Sequence, residues 1–178
     1  MPIRISVLMK TDWDVFYINL AQLWADKSKD RSTGVGAVIV GPDMEQRSAG
    51  YNGFPRGVND AVDCRHDRPL KYEYTEHAER NAIYNAARMG TPLKGCIMYL
   101  NWWPLPCPDC ARAVIQSGII TVIGPDRPFV SGTKENRDPA LDGAQPKGQP
   151  KDWKKSFETT THMFIEAGID MRIITMPR

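Results

Sequence analysis

What this chain lacks narrows it first. Nowhere do eighteen apolar residues run together, and no apolar stretch follows Met1. Neither a membrane-spanning helix nor a secretory leader is therefore visible, and a cytoplasmic location is the expectation. A charge excess is missing too: 23 Lys and Arg face 21 Asp and Glu, a net charge of +2 with a pI near 8.3. Nothing in that balance argues for a duplex-binding surface, so no nucleic-acid partner is expected. There is no internal repeat. Cysteine is scarce, with four in 178 residues, and two of these form a C-x-x-C at Cys107 and Cys110. Without an export signal, that spacing favours metal or redox chemistry over disulfides. What remains is ordinary: 42% apolar and 25% charged residues, at a length that suits one domain with a real core.

The chain then punctuates itself. Thr11, Asp12 and Asp14 read as a helix cap with acidic residues in the first turn, followed by Phe16, Leu20, Leu23 and Trp24 at helical spacing. Val35–Val40 and Gln46–Gly50, separated by Gly41-Pro42-Asp43, predict a β-hairpin. Residues 51–69 are rich in Gly, Pro, Asn and Asp and predict a long loop, a kind of segment that is commonly functional. Glu76–Met89 predicts a helix stopped by Gly90, and Cys107–Ser117 another stopped by Gly118. Ile97–Leu100, Ile120–Ile123 and Met171–Met176 predict strands, with a further helix around Phe157–Ala167. Residues 132–151 set Pro and Gly among charges and predict a surface insertion within a single domain spanning 1–178. Helices alternating with the later strands give an α/β protein with a mixed sheet.

Chemistry concentrates in two short stretches, His77-Ala78-Glu79 and Pro106-Cys107-Pro108-Asp109-Cys110. Two thiols and an imidazole are donors that Zn²⁺ favours, and a catalytic zinc typically keeps three protein ligands and one open position. Each stretch begins a predicted helix. Cysteines three apart share a helix face, and the helix N-terminus favours their thiolates. Glu79 lies two residues beyond the histidine, so it points elsewhere and need not ligate. With a water activated by the metal, Glu79 would carry its proton to a ring nitrogen and then help protonate the departing ammonia. The competing reading is a closed structural zinc site. It needs a fourth Cys or His, none stands at finger spacing, and it has no use for Glu79. Cys64 and Cys96 are expected to be plain buried or half-buried thiols, since a second site with His66 lacks a fourth ligand.

These motifs, in order, resemble the zinc-dependent cytidine deaminase superfamily. The stretches that carry the resemblance are Lys29–Val40, Gly50–Gly57 (GYNGFPRG), Glu76–Ile83 and Pro106–Ala111, within roughly Val7–Ile123. H-x-E with P-C-x-x-C marks the superfamily. GYNGFPRG looks like the deoxycytidylate (dCMP) deaminase branch. The resemblance implies a three-layer α/β/α cytidine deaminase-like fold with a mixed five-stranded sheet. It implies one catalytic Zn²⁺ on His77, Cys107 and Cys110, and Glu79 as the proton carrier. Asn52 would meet the sugar, Arg31 and Ser32 would lie near the 5′-phosphate, and Ala78 would contact the substrate. Asn has both donor and acceptor for a hydroxyl, and Arg suits a phosphate. The activity implied is hydrolysis of dCMP to dUMP and ammonia, feeding thymidylate synthesis. Members resembling this chain form homo-oligomers, often hexamers, and bind dCTP or dTTP as allosteric nucleotides, with Mg²⁺ as a companion ion. The same chemistry on a 5-modified dCMP, dCTP, a nucleoside or an RNA base is the nearest alternative, and a non-catalytic zinc-stabilised module the next. Trp102 and Trp103, before the Pro-Cys, are bulkier than the family pattern, and could stack on a base, line an oligomer contact or fill core.

Overall fold

The computed structural model describes residues 12–126 and 153–176. The expected insertion at 132–151 lies outside the described residues. In chain order the elements are helix α1 (Trp13–Ala25), strands β1 (Gly36–Val40) and β2 (Gln46–Tyr51), short helix α2 (Lys71–Tyr74), helix α3 (Ala78–Met89), strand β3 (Ile97–Leu100), helix α4 (Pro108–Gln116), strand β4 (Thr121–Pro125), helix α5 (Trp153–Ala167) and strand β5 (Asp170–Ile174). A 3-10 turn at Asp63–His66 interrupts the expected loop.

The five strands form one mixed sheet in the order β2-β1-β3-β4-β5. The hairpin β1–β2 is antiparallel and β3 runs antiparallel to β1, whereas β4 and β5 are parallel to β3. Parallel strands need crossovers, which α4 and the segment bearing α5 supply. β1 is buried on both faces. Ala37 and Ile39 point into a core shared with Ala78, Ala82, Val114 and Phe164 of α3, α4 and α5. Val38 and Val40 point into a second core with Tyr17, Ile18 and Ala21 of α1. Alternation along one strand thus builds two cores and three layers.

Two details of α1 differ from the expectation. Asp12, rather than Thr11, is the N-cap, its carboxylate accepting the Asp14 N–H at 2.9 Å. The buried stripe is Tyr17, Ile18, Ala21 and Ala25, with the expected Leu20 and Trp24 half-buried against the same core, while Phe16 and Leu23 are 45% and 62% exposed. Both stripes have helical spacing, so periodicity alone could not choose between them. The rotation is set by Tyr17, whose ring lies 5.1 Å from that of Tyr99 and whose hydroxyl donates to the Met44 carbonyl.

α3 sits directly on β2 because Gly50 has no side chain. A Cβ there would lie 2.4 Å from the Ala82 nitrogen. Ser48, on the same strand, donates its hydroxyl to the Ala82 carbonyl at 2.7 Å. The helix that begins at His77 is thereby fixed to the sheet edge, and Gly90 ends it in the left-handed conformation at φ 69°.

Candidate metal centre and active site

His77 is the N-cap of α3 and Cys107 the N-cap of α4, each with extended backbone. Pro108 occupies the first turn of α4, where its missing N–H costs nothing. Cys110 follows one turn later, completely buried. The backbone carbonyl of Pro106 accepts the Thr160 hydroxyl of α5 at 2.8 Å, which holds the approach to Cys107. On the other side, the His77 N–H donates to Glu76 Oε1 at 2.8 Å, and the same oxygen pairs with Arg80 at 2.6 Å.

The two helix starts converge. His77 Nδ1 lies 3.5 Å from Cys107 Sγ and 3.4 Å from Cys110 Sγ, and all three donors fall within 4.8 Å of one another. Tetrahedral zinc with ordinary Zn–S and Zn–N bonds would need N···S edges of about 3.6 Å and an S···S edge of about 3.8 Å. The donor set therefore fits that ion in both type and spacing. It is the only group of three or more His, Cys, Asp or Glu able to hold a metal among the described residues.

The sulfurs are electrostatically prepared. Cys107 is held down to about 3, first by the hydrogen bond from Cys110 and then by His77, against the cost of burial. Cys110 is pushed up, first because it donates to Cys107 and then by burial and the nearby Glu79 charge. Glu79 is buried, 7% exposed, outside the donor triad. Burial raises its pKa, with the charge on Cys107 adding to the effect and His77 opposing it. A carboxyl raised by burial beside such a triad can both accept and release a proton.

The other expected contacts are placed as follows. Ala78 opens α3 and is buried. Asn52 is buried just after β2, its neighbour Gly53 paired with Glu76 in both directions at 3.0 and 2.9 Å. That bridge ties the GYNG stretch to the residue preceding His77. Ser32 accepts a hydrogen bond from Lys71 and donates to Asp30 at 2.9 Å. Arg31 is an exposed side chain paired with Asp63 at 2.5 Å. Trp103 is exposed and Trp102 half-buried. Cys96 is buried as expected but Cys64 is exposed, because the 3-10 turn that carries it buries none of its residues. His66 stacks on Phe54 and its Nε2 lies 2.7 Å from the Asp60 carbonyl.

Sequence reasoning missed Asp30 and Lys71, an ion pair at 2.8 Å whose side chains are 4% and 12% exposed. Asp30 followed by Ser32 and Thr33 had a usable signal. It is the pattern of an Asx turn, and Asp30 Oδ1 does accept both backbone N–H groups. Lys71 carried no signal at all.

Comparisons with known proteins agree with this geometry. Residues 11–124 match the family model for the cytidine and deoxycytidylate deaminase zinc-binding region. An Aliivibrio fischeri protein described as an uncharacterized deaminase is 34% identical over 92% of this chain and 94% of its own length. Human deoxycytidylate deaminase is 39% identical over 63% of this chain, a match that spans only 64% of the human protein. The dCMP deaminase of cyanophage S-TIM5, solved with dCMP and dUMP, shares the fold at a TM-score of 0.61 and 20% identity, over 94% of this chain and all of the phage chain.

Proposed function

The chain belongs to the cytidine and deoxycytidylate deaminase zinc-binding family, and from that premise we propose that it hydrolyses dCMP to dUMP and ammonia. The observation that carries the reading is the meeting of His77, Cys107 and Cys110 at two helix starts, with Glu79 buried outside the donor set. The name of the human relative and the GYNGFPRG stretch support the nucleotide monophosphate as substrate. The dUMP formed would supply thymidylate synthesis.

His77, Cys107 and Cys110 would hold zinc, which would supply an activated water. The remaining work falls to the chain. Glu79 takes one proton of the attacking water and passes it to the ring nitrogen of cytosine. It then takes the second from the hydroxyl now on the ring carbon and delivers it to the amino group as ammonia leaves, which restores the carboxylate. Burial keeps that carboxyl shielded from solvent, so the proton it accepts is delivered to the base. Ala78, first residue of α3, would offer a helix-start N–H to the base, since such groups have no partner within the helix. Asn52 would meet the sugar, with Arg31 and Ser32 toward the phosphate. We include in the proposal a single domain over 1–178 with 132–151 as a surface insertion, and a cytoplasmic homo-oligomer, a hexamer by family resemblance. Regulation by dCTP and dTTP with Mg²⁺ belongs to the same reading. The exposed apolar side chains Trp13, Phe16 and Leu23 on α1 support an association surface. No helix among the described residues is long and apolar enough to cross a membrane.

The test is ammonia release by the zinc-loaded protein across dCMP, 5-methyl-dCMP, dCTP, deoxycytidine and a single-stranded oligonucleotide, with and without dCTP or dTTP. The expected result is the highest kcat/KM on dCMP. A higher value on another cytosine compound would reassign the substrate. No ammonia from any of them would leave a zinc-stabilised binding module.

A further inference from the structure

We propose that Lys71 is a positioning residue, acting through Asp30 to lock the Asn52 amide as a hydrogen-bond acceptor for a substrate hydroxyl. The inference rests on the reading above only through the role given there to Asn52.

The amide has little freedom. Its Nδ2 donates to the Thr33 carbonyl at 2.8 Å and to Asp30 Oδ2 at 3.2 Å, while its Oδ1 accepts the Val35 N–H at 2.7 Å. Both amide hydrogens are therefore spent, and one lone pair on Oδ1 remains beyond the Val35 contact. A flipped amide would face a carboxylate and a carbonyl with oxygen, and an N–H with N–H, so the orientation is dictated by its neighbours. Asn52 can only accept, and a sugar hydroxyl must donate to it.

Asp30 heads the turn that supplies both acceptors facing the Asn52 Nδ2. Besides the Asn52 contact, its Oδ1 accepts the Ser32 N–H at 2.9 Å, the Ser32 hydroxyl at 2.9 Å, the Thr33 N–H at 3.1 Å and Lys71 Nζ at 2.8 Å. Lys71 reaches this turn from α2, 41 residues further along the chain. With both side chains nearly sealed from water, removing the ammonium takes a close countercharge from a buried carboxylate. The Asp30–Thr33 turn then loosens, and with it the Asp30 and Thr33 oxygens that hold the Asn52 amide. The metal donors have anchors of their own in Glu76, Thr160 and the two helix starts.

The experiment compares wild type with Lys71→Met and Lys71→Arg, measuring kcat, KM and zinc content on dCMP and on 2′,3′-dideoxy-CMP, which lacks the 3′-hydroxyl. Lys71→Met is expected to raise KM for dCMP about tenfold, the scale of one lost hydrogen bond, with kcat and zinc content near wild type. It is also expected to lose the wild-type preference for dCMP over the dideoxy analogue, and Lys71→Arg to restore it. A merely structural lysine would lower stability without changing that preference, and an unchanged preference or an unchanged KM in Lys71→Met overturns the proposal. Should Lys71→Met fail to fold, Lys71→Gln carries the same ratio. A wild type that ignores dCMP but deaminates another cytosine nucleotide sinks the substrate assignment alone, and the ratio is then taken on that nucleotide and its 3′-deoxy analogue.

Discussion

Replacing Gly50 by alanine adds a single methyl group, yet it should disturb the active site from the far side of a helix. The added Cβ would sit 2.4 Å from the Ala82 nitrogen and 2.8 Å from both the Ala78 carbonyl oxygen and the Asn81 carbonyl carbon. All three are backbone atoms of α3 or its first turn, so no side chain can rotate away. Ordinary contact begins near 3.4 Å, so strand and helix must separate by about 1 Å. Overpacking of that kind costs about 1–3 kcal/mol. At roughly 2–4 °C per kcal/mol for a domain of this size, the melting temperature should fall by roughly 2–12 °C. The first turn of α3 carries Glu79 and follows His77, and misplacing a reacting group by about 1 Å costs on the order of 100-fold in rate. Gly53→Ala is the control for stability, because its Cβ would meet only the Tyr51 ring, at 3.6 Å. The measurements are a thermal melt, zinc stoichiometry and kcat/KM on dCMP. Gly50→Ala protein with wild-type melting and activity would refute the steric reasoning. A lowered melting temperature with full activity would show that β2, an edge strand, gives way in place of the helix.

Three further outcomes follow from particular contacts. Glu79→Gln keeps the donor triad intact, so zinc should remain bound while kcat drops by about 100-fold or more, the usual share of a positioned proton carrier. A variant within a few-fold of wild type would show that another group moves the proton. Asn101 is completely buried, accepts the Gly36 N–H at 2.8 Å and donates to Gln22 at 3.0 Å and to the Gly34 carbonyl at 3.3 Å. Asn101→Ala should cost about 1–3 kcal/mol or more, since one unsatisfied buried group alone costs that much, and a denaturant titration would reveal it. Asp30 should leave its mark on acid stability. Burial pushes its pKa up, but Lys71 and the Ser32 and Thr33 N–H groups more than offset that and hold it below its ordinary value. A carboxylate depressed by folding stabilises above its unfolded pKa of about 3.9, and the contribution is lost as pH falls through the lower folded value. The stability advantage of wild type over Asp30→Asn should thus be level from pH 7 to about 5 and shrink below that. An advantage that grows on acidification would contradict the ion pair.

Some of this protein was legible residue by residue. Ligand chemistry lies in short local patterns, because a donor at a helix start and another one turn later are brought together by helix geometry alone. His77-Ala78-Glu79 and Cys107-Pro108-Asp109-Cys110 therefore marked the donor set that the fold brings together, with Glu79 as the proposed proton carrier. Four strands followed from apolar runs and their punctuation, and β2 from the Gly41-Pro42-Asp43 turn before it, with ends shifted by a residue or two. β1, for instance, starts at Gly36, one residue later than expected.

What the sequence could not choose were the outcomes of competition between distant partners. Two apolar stripes on α1 were equally periodic, and only the Tyr17–Tyr99 contact, across 82 residues, selected the face that is buried. Cys64 was read as sheltered and is exposed, since its burial depended on how a long loop folded back. Lys71 looked like any solvated lysine until the tertiary structure set it against Asp30. Local spacing determined which atoms could bind an ion. Packing across the sheet decided which polar groups were sealed from water, and so which way the Asn52 amide faces.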